Sequence, residues 1–106
     1  MIYEIRTYTL HPGCLEPWLE LYETKALPVI AGIAAMKLVG YFYTEADAST
    51  RVVHLWSYPD AAAREAAHAA LDASAAWKQG FVAAARPYLA LREHAVLTPV
   101  SFSPLQ

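Results

Sequence analysis

The chain is short of several things, and each shortage narrows what it can be. It has one cysteine, Cys14, so no internal disulfide can form. A lone thiol near a helix start reads as inert and fits a reducing compartment, so the cytoplasm is expected. Positive charge is scarce and scattered: eight Lys and Arg stand against ten Asp and Glu, for a net charge of −2. No basic stripe exists, which argues against a nucleic-acid partner. No run of about 18 apolar residues occurs, so no membrane span is expected; the alanine-rich stretches are interrupted by Arg64, Glu65, His68, Asp72, Lys78, Gln79 and Arg86. The first residues carry no positive segment leading into an apolar run, so no signal peptide is expected. There is no phosphate-binding loop, dinucleotide fingerprint or Ser-His-Asp set, and no cofactor is expected. The four histidines, His11, His54, His68 and His94, form no His-x-His or His-x₃-His pair, and a zinc site would need three or four convergent ligands.

What is present is apolar and aromatic. Residues of the hydrophobic type make up 57% of the chain, but 21 of the 106 residues are alanine, which buries little area. Three Trp, seven Tyr and three Phe must therefore carry much of the packing, and that many large rings on so small a body suggest burial in an oligomer. At 106 residues one domain is expected, spanning 1–106.

Patterning places four strands. Ile2 to Leu10 is rich in β-branched and aromatic residues, and Met36 to Thr44, Arg51 to Tyr58 and Tyr88 to Thr98 also read as strands. Gly40, inside the second, marks a bulge or a close approach. A helix is predicted from about Leu15 to Ala31, with Leu15, Trp18, Leu19, Tyr22 and Ala26 on one face and Pro28 ending or kinking it near Leu27. A second helical region runs from Asp60 to about Leu71 and, after Ser74, on to Ala85, with Asp60 and Ser74 as caps. His68 is expected to be a solvated residue of that helix. The tail, Pro99 to Gln106, holds two prolines and is expected to lie on a surface.

The order β-α-β-β-α-β is that of the ferredoxin-like split βαβ, an α+β fold with a four-stranded antiparallel sheet and both helices on one face. In it the first and third strands are central neighbours. Each carries two unlike rows: Glu4, Arg6 and Tyr8 alternate with Ile5, and His54, Trp56 and Tyr58 alternate with Val53 and Leu55. Ile5, Val53 and Leu55 are expected to face the helices. The polar-aromatic row would then face outward, and a second copy of the chain, sheet on sheet, would cover it and enclose a ligand space.

Four segments, Ile2-Tyr-Glu-Ile-Arg-Thr-Tyr8, Lys37-Leu-Val-Gly-Tyr-Phe42, Val52-Val-His-Leu-Trp56 with Tyr58, and Pro99 with Phe102-Ser-Pro-Leu105, resemble the NIPSNAP family over nearly the whole chain. The resemblance implies a dimeric α/β barrel and leaves the chemistry open, because the wider superfamily includes quinol-type monooxygenases, haem-degrading enzymes, isomerases and pure binding proteins. The leading expectation is a small homodimeric barrel that binds a small organic ligand through Glu4, Arg6, Tyr8, His54, Trp56 and Tyr58. The second is a cofactor-independent monooxygenase- or isomerase-type enzyme with His54 as general base and Arg6 binding an oxyanion. A third is a structural or protein-interaction module. Each site residue also has a plainer role: Arg6 and Glu4 an ion-pair network across the dimer, His54 a hydrogen-bonded sheet histidine, Trp56 and Tyr58 dimer packing.

Overall fold

A computed structural model describes residues 1–106. Its four strands are β1 (Ile2–Leu10), β2 (Lys37–Thr44), β3 (Thr50–Tyr58) and β4 (Leu89–Leu97). They form one antiparallel sheet in the order β2-β3-β1-β4. The two connections that cross the sheet are helical. The first comprises α1 (Leu15–Leu21), a π-helical turn over Tyr22–Ala26 and α2 (Leu27–Ile30). The second comprises α3 (Ala61–Asp72), a π-helical stretch over Ala76–Val82 and α4 (Ala83–Ala85). This is the ferredoxin-like β-α-β-β-α-β arrangement, with β1 and β3 at the centre. No helix is long and apolar enough to cross a membrane.

Local chemistry sets the element ends. Asp60 caps α3 by accepting from the Ala63 amide at 2.8 Å, and Ser74 accepts from the Trp77 amide at 3.2 Å. Gly13 takes the left-handed conformation (φ 78°) in the turn after β1. Gly40 sits where the β2–β3 register slips between Leu38 and Gly40, so the glycine does mark a bulge. Pro28 does not break the first helix, which continues to Ile30. The π turn just before it lets the Leu27 amide reach back to the Tyr22 carbonyl, and Pro28, at the start of α2, has no amide to place.

The facing of the sheet is opposite to the sequence expectation. Helices cover the row Glu4, Tyr8, Val52, His54, Trp56 and Tyr58, all of which are buried. Ile5, Val53 and Leu55 lie on the uncovered face and are only half-buried. Ring size explains the choice. An aromatic side chain buries about 150–250 Å², far more than a Val or Ile offers, and alanines of the second helical region such as Ala67 and Ala85 leave room for large rings beneath. Trp18, Tyr22 and Phe81 from the helices complete that aromatic core. Trp56 is therefore packed inside its own chain and is not part of an outward face.

The uncovered face is apolar. Cross-strand pairing places Ile5, Phe42, Val53, Leu55, Leu91 and Leu97 on it, with Phe42 63% exposed. The tail ends beside this face: the Tyr3 hydroxyl donates to the Gln106 carbonyl at 3.0 Å. The Gln106 amide in turn ties back to the Val100 and Ser103 carbonyls, and Phe102 stands 87% exposed.

Candidate functional site

The floor of the site is built by register. On β1 and β3, Glu4 lies opposite Trp56 and Arg6 opposite His54, so the charged and aromatic residues of two strands share one patch. At its centre is the carboxylate of Glu4, 0% exposed. The Tyr58 hydroxyl donates to Glu4 Oε1 at 3.1 Å, and Arg6 Nε lies 3.3 Å from the same oxygen. From above, α3 lowers two side chains one turn apart onto it, as the i, i+4 spacing directs. Arg64 Nη2 donates to Glu4 Oε2 at 2.6 Å, and His68 Nε2 lies 3.3 Å from Oε1. Burial alone would raise the Glu4 pKa, but hydrogen bonds from His68 and Arg64 and the charge of Arg6 reverse this, and the group is held well below the ordinary carboxylate range. Burial, with the charge of Glu4 beside it, pushes the Tyr58 phenol up, so it stays a donor.

Next to this hub is a sealed aromatic box. His54 is 1% exposed and stacks on Tyr41 with ring centres 4.5 Å apart, with Tyr8 and Tyr22 edge-on to it. The Trp56 indole N–H donates to His54 Nδ1 at 2.7 Å, which places the ring proton on Nε2. That Nε2 is buried without a partner. Burial and the positive charge of Arg6 lower the His54 pKa to about 3, so the imidazole is neutral at pH 7. The Trp18 indole donates to the Tyr41 hydroxyl at 2.9 Å and ties the first helix to β2.

Two cavities open above the floor, between sheet and helices. The first has a volume of about 350 Å³ and runs from Arg6 and Tyr8 past Trp18 to Leu71, Trp77 and Phe81. The second, of about 340 Å³, is polar and includes Arg64, Glu93 and His94. The two share Arg6, Tyr8, His68 and Arg92 as a common wall. Arg6 is fixed there: its Nη1 donates to the Tyr8 hydroxyl at 2.7 Å. Arg64 Nε is buried without a hydrogen-bond acceptor, and Arg6 Nε, although 3.3 Å from Glu4 Oε1, is not aligned to donate to it.

All six residues named from the sequence come together on one face, but beneath the helices and not between two sheets. Arg6 and Tyr8 line the cavities, and Glu4 and Tyr58 support them from below. His54 and Trp56 line neither of the two cavities. His68 is not a solvated helix residue: it is 28% exposed at its side chain and is drawn onto Glu4 and Tyr58. Sequence reasoning also missed Arg64, Arg92, Trp77 and Phe81 as neighbours of this patch. A signal for two of them was available: Arg64 and His68 are four apart in a helix otherwise made largely of alanine, so they mark one face of it. The structure holds no cluster of three or more His, Cys, Asp or Glu side chains arranged for a metal ion.

Comparison with known proteins places this geometry among relatives. The NIPSNAP family model matches residues 3–104. Human protein NipSnap homolog 3A is 33% identical over 109 aligned positions, which cover 99% of this chain and 42% of that protein. The chain thus spans about two fifths of the length of that relative. A crystal structure of a NIPSNAP family protein of unknown function from Agrobacterium tumefaciens is 31% identical, covers 100% of this chain and 94% of its own, and superposes with a TM-score of 0.89. A Streptomyces coelicolor monooxygenase, solved with the ligand nanaomycin D, shares the fold alone: TM-score 0.67 and 16% identity over 99% of this chain and 92% of its own.

Proposed function

The chain belongs to the NIPSNAP family, and from that premise we propose that it is a homodimeric barrel that binds a small organic molecule in the cavity between its sheet and its helices. The observation that carries this reading is the 350 Å³ cavity itself, which combines an apolar end at Leu71, Trp77 and Phe81 with fixed polar groups at Arg6 and Tyr8. That volume falls at the small end of the range for organic ligands, and a few fixed polar groups in an apolar wall are what such sites use for orientation. Arg6 and Tyr8 meet the ligand. Glu4 and Tyr58 hold Arg6 and Arg64 in position, and His54 and Trp56 form a rigid backing. The dimer forms through the other face of the sheet, where Ile5, Phe42, Val53, Leu55, Leu91 and Leu97 present apolar area that one subunit leaves uncovered.

Two measurements test the two halves. For the cavity, the neutral dye N-phenyl-1-naphthylamine should bind with a rise in fluorescence, and Val82→Trp, which fills the cavity, should abolish it. No binding by the parent protein, or equal binding by the filled variant, refutes the site. For the dimer, sedimentation velocity should give twice the chain mass, and Leu55→Glu should give the single chain mass. A parent protein that sediments as a monomer refutes the pairing.

A further inference from the structure

The residues around the cavities also indicate what class of molecule they hold. Four of the five arginines in a chain of net charge −2, Arg6, Arg64, Arg86 and Arg92, line the two cavities. Arg64 and one edge of Arg6 are engaged by Glu4, whereas Arg86 and Arg92 have no ion-pair partner. The opposing charges on this face of the sheet are Asp72 at the rim of the apolar cavity and the buried Glu4. In the polar cavity Arg6, Arg64 and Arg92 stand over the buried carboxylate of Glu4, whereas Glu93, opposite Thr7 on the neighbouring strand, directs its side chain to the sheet face of Ile5. Tyr8 accepts from Arg6, so its own hydroxyl proton is free to donate.

We propose that the ligand is an amphipathic carboxylic acid, its carboxylate held at the shared wall by Arg6, Arg92 and Tyr8 and its hydrocarbon or aryl body packed against Leu71, Trp77 and Phe81. The inference rests on the cavity binding an organic molecule at all. A neutral apolar ligand would strip water from the guanidiniums of Arg6 and Arg92 and return no acceptor. A carboxylate returns two oxygens to a planar fork of donors.

The test is a binding series on the purified protein, followed by tryptophan fluorescence and calorimetry. The probes are octanoate and 2-naphthoate, their neutral counterparts 1-octanol and 2-naphthol, then 2-naphthyl phosphate and inorganic phosphate. Each acid should bind at least tenfold more tightly than its alcohol. Arg92→Gln, on an exposed strand position, should remove that preference and leave the alcohols unchanged, and Arg92→Lys should restore part of it. If acids and alcohols bind equally while the neutral dye still binds, the cavity stands and the carboxylate assignment falls. Tighter binding of 2-naphthyl phosphate than of 2-naphthoate, displacement of the acids by inorganic phosphate, or a full preference retained in Arg92→Gln also overturns it. If neither the dye nor any organic probe binds, the ligand-binding function falls with it.

Discussion

Acidification should destabilise this protein through His54 from a higher pH than through its carboxylates. In the folded chain burial holds the imidazole pKa at about 3; in an unfolded chain a histidine titrates near 6.5. Between those values the unfolded state takes up a proton that the folded state refuses. The stabilisation is therefore complete above about pH 6.5 and is lost as the pH falls. Each pH unit inside that window costs about 1.4 kcal/mol. From pH 7.5 to 4.5 the loss through His54 is about 2.7 kcal/mol, or a fall in Tm of about 10–20 °C for a domain of this size. The assay is a set of circular-dichroism melts at fixed protein concentration from pH 7.5 to 4.5, on the parent and on His54→Gln. Glutamine can still accept from the Trp56 indole but takes up no proton. Its Tm at pH 7.5 will be lower, yet its curve against pH should be flatter by that amount. The other three histidines are common to both proteins, so the difference belongs to His54. Parallel curves for the two proteins would show that the imidazole does not refuse the proton, and the sealed box described above would be wrong.

Other perturbations should separate the interior from the outer face. Trp56→Ala should destabilise the folded chain by about 3–5 kcal/mol in chemical denaturation and leave the dissociation constant of the proposed dimer unchanged; a variant that melts normally but dissociates would return Trp56 to the interface. Glu4→Gln should cost about 3–5 kcal/mol, as breaking one partner of a buried ion pair does, since it leaves Arg6 and Arg64 without their counter-charge; a loss below about 1 kcal/mol in urea titration would mean the hub is not held by charge. Removing the residues after Thr98 takes away the bond from Tyr3 to Gln106 and should lower stability by about 0.5–1.5 kcal/mol; an unchanged melting temperature would count against the tail as an anchored element.

Much of the architecture was legible in the chain. The period-two rows, the caps at Asp60 and Ser74 and the bulge at Gly40 depend on local chemistry, and local chemistry shows in sequence. So does the adjacency of β1 and β3, because the order of elements determines it. The facing of the sheet was not legible, because alternation separates two rows without saying which is covered. The rule that aliphatic residues go inside picked the wrong row here: Glu4 and His54 look costly to bury until Arg64, His68 and the Trp56 indole are known to satisfy them. Those partners lie 60 and 64 positions from Glu4 and two from His54, so only the closest was open to inference. The depth of the candidate site followed the same error. Glu4, Arg6, Tyr8, His54, Trp56 and Tyr58 share one face of the sheet, yet what lies above them belongs to the same chain.

Alanine gives α3 almost no shape with which to find its place on the sheet. A smooth helix can turn or slide over aromatic rings at little cost, since a step of one residue moves it only 1.5 Å along and about 100° around. Arg64 and His68 remove that freedom. They grip a single carboxylate from one helical turn, and a step of one residue would swing both away from it by about 100°. Glu4 acts as an index mark that selects one seating of the helix among many of similar apolar area, a role in which buried polar contacts contribute uniqueness more than stability. Because Arg6 shares that mark, the seating of the helix and the shape of the cavity wall are set by the same pair of oxygens.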